Sequence, residues 1–445
     1  MLPHRTVESI NKLSIFIINN YFLSLFLQRT HTVTIISICS TLVYLAFFHG
    51  TVIHDLFNRT EVDDFDDFQP VNKVERRRTR NKSSLPAWSY ERRRDSAETS
   101  LKQLAPELFN ALPEPFSSKM KNPCWNIVKK KPRQCLPYFY LIGMPKCGTT
   151  DLWNKLIRHP YIVYTHKEPH WWSRTRIGHG HAVTKLKSDP VSYYTRYAKA
   201  LDNFAKRERL NRTKLVVGDG SASTMWDNRS WRHYYPNATR GPPHVIGELI
   251  EAIQPEALAI AILRNPTDRL YSDFLYFTNT SMLKLTPEYF HERVKTSIAK
   301  FHECTKDFDV RTCTYETQGI KAYVRLEVGL YSIYVGDWLS FFPRKKLKIV
   351  KMADWHQKCT KTLAELYHFL ALEPLKIPSL IKICRDEAEN ARSPEKISIG
   401  PMLPETRQLL NDFYSPYNLE LARMLGDDRF LWNDENAGSS EESVP

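Results

Sequence analysis

The stretch YLIGMPKCGTT, residues 140–150, decides how this chain is read. An apolar run ends at Gly143, and Lys146, Cys147, Gly148, Thr149 and Thr150 follow at once. A buried strand that breaks into a glycine-bearing loop and reopens as a helix presents backbone N–H groups to an anion. The spacing from Gly143 to Gly148 is that of the phosphate loop G-x-x-x-x-G-K-[ST]. Thr149 stands where the lysine should follow, and Lys146 lies inside the loop instead. The loop is expected to hold a phosphate through its backbone, Lys146 and the two threonine hydroxyls. It lacks the lysine–hydroxyl order that organises Mg²⁺-assisted triphosphate chemistry, which speaks against a P-loop kinase.

Outward from this loop the chain alternates. YFYLIGM, KLVVGDG, ALAIAILRN and KLKIVKM read as buried strands. TTDLWNKLIRHP, PHVIGELIEAIQP and CTKTLAELYHFLAL read as helices between them. The expected fold is α/β, a P-loop-like parallel sheet flanked by helices. Ligands in such sheets bind beyond the carboxyl ends of the strands.

A second anion site is expected in LRNPTDRLYSDF, residues 263–274. Arg264 lies at the end of a strand and Ser272 in the helix that follows. A guanidinium fork and a hydroxyl suit a second phosphate. Two phosphate sites on one sheet suit a nucleotide phosphorylated at both its 5′ and 3′ positions, as in 3′-phosphoadenosine 5′-phosphosulfate.

On these residues the sequence resembles the Golgi carbohydrate sulfotransferases. GMPKCGTT looks like their 5′-phosphosulfate loop and RNPTDRLYS like their 3′-phosphate motif. The resemblance runs from about Cys124 to Trp432 and includes KEPHWW, GDGSASTMWDN, VGLYSIYVGDWLSFF, NARSPEKISIGPMLPET and DFYSPYNLELARML. Within the family, KEPHWW, STMWDN and GPMLPET look closest to enzymes that add a 6-sulfate to N-acetylgalactosamine 4-sulfate in chondroitin sulfate. The heparan sulfate enzymes share the pattern less closely, and transfer to another glycosaminoglycan such as heparan sulfate is the alternative within the class.

The resemblance implies a sulfuryl donor, 3′-phosphoadenosine 5′-phosphosulfate, with no metal required. Sulfuryl transfer is mostly positioning and electrostatics, so Lys146 is expected at the 5′-phosphate and the bridging oxygen. Glu168 stands at the family's base position, and His170 is expected to orient it or the acceptor. Lys167, Arg174 and Arg176 are expected on the acceptor side, the two arginines against an acceptor sulfate. Trp171 and Trp172 suit either a sugar face or the core. The loop from Ile397 to Pro404 is expected to close over the nucleotide, with Gly400 allowing a close backbone approach. Two positions depart from the heparan sulfate pattern. Ser173 stands in place of an Asp, and Gly220 follows Asp219 where a lysine is usual.

Composition and topology agree with such an enzyme. The chain has 445 residues and a net charge of +14, which favours polyanionic partners. The partner expected is a sulfated glycosaminoglycan and not nucleic acid, with room for a homodimer. No Lys, Arg, Asp or Glu occurs from Thr30 to His54, and VTIISICSTLVYLAFF within it is long enough with its flanks to cross a bilayer. Lys12 and Arg29 precede it and an acidic run follows, placing the N-terminus in the cytoplasm. The expected organisation is a cytoplasmic tail with an interfacial segment over 1–31, a signal-anchor over 32–53, a stem over 54–121, a lumenal sulfotransferase domain over 122–436 and a tail over 437–445. The stem carries EVDDFDDF, ERRRTRNK and ERRRD, which read as solvated linker. The expected location is the Golgi membrane, single-pass type II.

Sequons at Asn58, Asn81, Asn211, Asn228, Asn237 and Asn279 could carry glycans. Nearest-neighbour pairing would join Cys124–Cys135, Cys304–Cys313 and Cys359–Cys384 in an oxidising lumen. A glycosyltransferase would need a D-x-D at a strand end, and the triplets present lie elsewhere. A noncatalytic glycan-binding membrane protein is the alternative of another class.

Overall fold

The computed structural model describes residues 97–433 apart from 114–115, 118, 127–132, 179–188, 229–230, 279–284, 317–323 and 387–393. The segments 1–31, 32–53 and 437–445, most of the stem, and the sequons at Asn58, Asn81 and Asn279 lie outside the described residues. Among the described residues no helix is long and apolar enough to cross a membrane.

A five-stranded sheet carries the fold. β3 (Phe139–Gly143) lies at its centre, with β5 (Val216–Gly220) and β4 (Ile162–Val163) on one side. β6 (Leu258–Leu263) and β7 (Leu347–Lys351) lie on the other. Every pairing is parallel. The reason is visible in composition: FYLIG and LAIAIL have no polar face, and β3 is buried along its whole length. The helices Thr149–Leu156, Ile246–Ile253 and Met352–Phe369 cover the sheet through Leu152, Trp153, Ile250, Trp355 and Leu366, all in one core.

A second apolar cluster joins the helices Pro266–Phe277, Pro287–Asp307 and Pro404–Leu425 through Leu270, Phe274, Phe290, Phe301 and Leu410. A small antiparallel pair, β1 (Cys124–Trp125) and β2 (Gln134–Cys135), precedes the sheet. The disulfides are Cys124–Cys135, Cys304–Cys313 and Cys359–Cys384, the nearest-neighbour pairing.

The packed body starts earlier than the charge runs imply. Residues expected as stem form the helices Ala97–Leu104 and Pro106–Phe109. Leu101, Ala105 and Leu108 are buried in the main core. Three apolar side chains spaced three and four apart seat a short segment that composition alone would leave in solvent.

Candidate active site

β3 delivers the phosphate loop. Met144 N–H donates to Ile262 O (2.9 Å), which holds the loop's start against β6. Cys147 N–H closes a turn on Met144 O (3.3 Å), and Gly148, at φ 91°, starts the helix Thr149–Leu156. The first N–H groups of a helix have no intrahelical acceptor and carry the positive end of its dipole. Thr149 and Thr150 are buried there. Lys146 is also buried, and its Nζ lies 3.5 Å from the centroid of the Tyr276 ring. The Cys147 thiol is buried 3.5 Å from the Tyr331 hydroxyl, and burial pushes its pKa up to about 11. Burial and the raised pKa keep that thiol protonated at neutral pH.

The second motif sits where β6 ends. Arg264 follows the last residue of β6 and Ser272 lies in the helix Pro266–Phe277, both half-buried. Asn265 caps that helix through Thr267 N–H (3.0 Å). Tyr271 OH donates to Gly400 O (2.8 Å), which ties the C-terminal loop to this motif. Gly400 has φ 87°, and a Cβ there would meet nothing within 4 Å. Within the protein, glycine is needed at 400 for its backbone angle and not for a close approach.

A charge cluster packs behind these residues. Arg269 is fully buried and lies 3.5 Å from Asp273, which also pairs with Arg325. Burial alone would raise the Asp273 pKa, and the Arg325 and Arg269 guanidiniums reverse this, leaving it below the ordinary value. Burial pushes Glu327 up to about 7 against the weaker pull of its own backbone N–H and Arg325.

KEPHWW forms the facing wall. Glu168 N–H donates to Gly220 O (2.9 Å), anchoring the segment to the end of β5. The Glu168 carboxylate accepts from Lys167 Nζ and from Ala222 N–H (2.9 Å), and its Oε2 lies 3.2 Å from His170 Nε2. Lys167 Nζ also donates to Thr149 Oγ1 (3.3 Å), so the KEPHWW wall and the helix that follows the loop meet at one ammonium. Burial raises the Glu168 pKa, and Lys167 and the Ala222 N–H only partly offset it. A carboxylate made more basic by desolvation is suited to taking a proton.

Three of the six non-glycine residues with positive φ among the described residues lie here. Lys146 (φ 63°), Glu168 (φ 57°) and His170 (φ 45°) all have positive φ without being glycine. Such angles cost energy and persist where the surroundings fix them, commonly at functional sites.

The segment after β5 supplies residues that pattern reading passed over. His170 N–H donates to Ser221 Oγ (3.0 Å), and Ser221 Oγ donates to Asp219 (2.7 Å). Tyr193 and Tyr197 hydroxyls donate to the other Asp219 oxygen at 2.5 and 3.0 Å. His170 Nδ1 meets Ser223 Oγ at 2.6 Å, and Ser223 Oγ meets Ser173 Oγ at 2.6 Å. Where the family pattern has an Asp, Ser173 thus extends a neutral hydroxyl chain. Where it has a lysine, Gly220 has no room: a Cβ would lie 2.7 Å from Trp153.

The remaining expected residues divide. Trp171 stacks on Tyr193 (4.1 Å, 13°) and both tryptophans are buried, so they serve the core. Arg174, part exposed, pairs with Asp227 (2.9 Å). Arg176 is buried and pairs with Glu107 of the helix Pro106–Phe109 (3.2 Å). Asn211 and Asn237 are exposed. Asn228 is not available as a glycan acceptor: its Oδ1 accepts from Ile246 N–H (3.1 Å) and its Nδ2 is buried.

A loop with phosphate-loop spacing but not its lysine order and a buried carboxylate–imidazole pair thus lie side by side at the carboxyl ends of β3 and β5. A family model described as a sulfotransferase domain matches residues 137–388, more than half the chain, and the chain belongs to that family. It is 39% identical over 315 residues to carbohydrate sulfotransferase 15 of Homo sapiens, an alignment spanning 67% of this chain and 55% of the human protein. The chain therefore matches about half the length of that relative. It is 34% identical over 148 residues to carbohydrate sulfotransferase 15 of Nototodarus sloanii, covering 33% of this chain and 92% of that one. Among solved structures, a sulfotransferase from Alicyclobacillus acidocaldarius is 20% identical, with a TM-score of 0.42 over 66% of this chain and 97% of its own.

Proposed function

We propose that this chain moves a sulfuryl group from 3′-phosphoadenosine 5′-phosphosulfate to a glycosaminoglycan hydroxyl, specifically the 6-hydroxyl of N-acetylgalactosamine 4-sulfate. The observation that carries the reading is the shared ammonium. Lys167 touches both the base, Glu168, and the phosphate loop at Thr149, so donor and base sides form one site. The family and the similarity to carbohydrate sulfotransferase 15 support the donor and the acceptor class.

The residues fit such a donor. Strained Lys146, the threonine hydroxyls and the helix start suit the 5′-phosphosulfate, and Arg264 and Ser272 suit the 3′-phosphate. Glu168 takes the acceptor hydroxyl proton as the new O–S bond forms. The bond between sulfur and the 5′-phosphate oxygen breaks, and its electron pair stays on that phosphate, beside Lys146. His170, held through Ser221 and Ser223, keeps Glu168 in place. Arg174, the part-exposed arginine of the pair, is the candidate for the acceptor's 4-sulfate. The reading extends to a type II Golgi membrane protein with a lumenal catalytic body, in keeping with three disulfides.

The test is direct. The protein is incubated with labelled donor and chondroitin, dermatan and heparan acceptors, and the new sulfate is mapped by disaccharide analysis. Label at the 6-position of 4-sulfated galactosamine is the expected result. Label confined to heparan disaccharides would move the acceptor assignment, and no transfer to any acceptor would overturn the activity.

A further inference from the structure

Lys167 occupies a position that acceptor binding does not explain. It is 7% exposed, with its Nζ between Glu168 Oε1 and Thr149 Oγ1. Thr149 is the first residue of the helix that follows the phosphate loop. An ammonium in that place has two anionic claimants once a nucleotide is bound: the Glu168 carboxylate and the phosphate group at the loop. Resting on the sulfotransferase reading, we propose that Lys167 couples donor occupancy to the base, swinging its ammonium from Glu168 to the donor's 5′ group and so freeing Glu168 Oε1 for the acceptor proton.

The surrounding charges leave Lys167 as the movable partner. On the same segment, His170 is fixed by Ser221 and Ser223, and Arg174 is paired with Asp227. Behind the wall, Asp219 is committed to Ser221, Tyr193 and Tyr197. On the helix of Thr149, Asp151 is taken by Lys155 and by Trp355 Nε1. Glu168 keeps the Ala222 N–H and His170 on its Oε2 when Lys167 leaves Oε1, so the carboxylate stays oriented while losing its strongest counter-charge. Its proton affinity then rises only when a donor is present. Without donor, the ion pair with Lys167 keeps Glu168 a weaker base.

The linkage is measurable without turnover. Adenosine 3′,5′-bisphosphate is titrated into the protein by calorimetry in buffers of different ionisation enthalpy, which gives the protons bound per nucleotide. Glu168→Gln supplies the contribution of all other groups, including the nucleotide's own phosphates. Wild type is expected to take up more protons than Glu168→Gln at pH values above the ordinary glutamate range. In Lys167→Met this excess disappears and nucleotide binding weakens about ten- to a hundredfold. Lys167→Arg, which keeps the charge, retains part of both. A merely structural lysine would lower the melting temperature without altering the proton count. Equal proton uptake by wild type and Glu168→Gln, with nucleotide still binding, would overturn the coupling. Absence of nucleotide binding to wild type would instead overturn the sulfotransferase reading on which it rests.

Discussion

His170 Nδ1 and Ser223 Oγ lie 2.6 Å apart, and the opposite ring nitrogen, Nε2, is the one that meets Glu168. A hydroxyl gives or accepts a proton as required, so Ser223 fixes the ring's direction without adding charge. Removing that contact frees the ring. Ser223→Ala is expected to lower kcat about tenfold or more while leaving adenosine 3′,5′-bisphosphate affinity unchanged. Ser223→Thr restores the hydroxyl and should recover most of the rate. Equal loss of kcat and nucleotide affinity would show that Ser223 acts on the fold and not on the ring.

On the proposed mechanism, Glu168→Gln keeps the shape and removes the base. Turnover is expected to fall roughly 10²–10⁴-fold with nucleotide binding nearly intact. In wild type, desolvation lifts the Glu168 pKa above its ordinary value, and a base acts in its carboxylate form. The acid limb of kcat/KM should therefore lie above the usual glutamate range, with activity rising as pH rises through it. A limb at the ordinary value would remove burial as the source of basicity.

Lys146→Ala should weaken adenosine 3′,5′-bisphosphate binding by about ten- to a hundredfold and abolish turnover. The two measurements separate it from Glu168→Gln, which affects only the second. Normal nucleotide affinity in Lys146→Ala would place this lysine outside the donor site.

The arginines should behave differently. Arg174→Ala is expected to raise KM for 4-sulfated acceptor more than for unsulfated acceptor. Arg176→Ala strips Glu107 of its partner and should lower Tm by roughly 2–8 °C, with no such preference between acceptors. Equal KM effects of Arg174→Ala on both acceptors would argue against its sulfate role.

Glu327 gives a stability prediction. Its folded pKa is raised to about 7, so the folded state binds that proton more tightly than the unfolded chain does. The associated stability is fully present below the unfolded value and is lost as pH rises through about 7. Glu327→Gln should flatten the fall of Tm between pH 5 and 8. An unchanged slope would assign the fall to other groups.

Much of this was legible in the residues. The central strands announce themselves as unbroken apolar runs because both of their faces are buried. The glycine spacing of 143–148 marks the loop, where Gly148 takes φ 91° ahead of the helix. Ser221 and Ser223 were not legible. Serine has no periodic signature, and their role exists only because the end of β5 comes alongside KEPHWW. The two tryptophans were ambiguous for a similar reason: a sugar face and a tyrosine ring ask for the same side chain. The helices at 97–109 were hidden by the basic runs just ahead of them. The pairing of Arg176 with Glu107 was not legible either, because the two lie 69 residues apart in sequence.

The early seating of Leu101, Ala105 and Leu108 limits where this chain can be trimmed. On the proposed type II topology, a cell that releases the enzyme by cutting its tether would have the charged stretch before Ala97 at its disposal. A cut a dozen residues later would strip three apolar plugs from the body and leave Arg176 buried without its carboxylate. Secreted forms should therefore begin upstream of Ala97, and a fragment starting after Phe109 should aggregate rather than circulate.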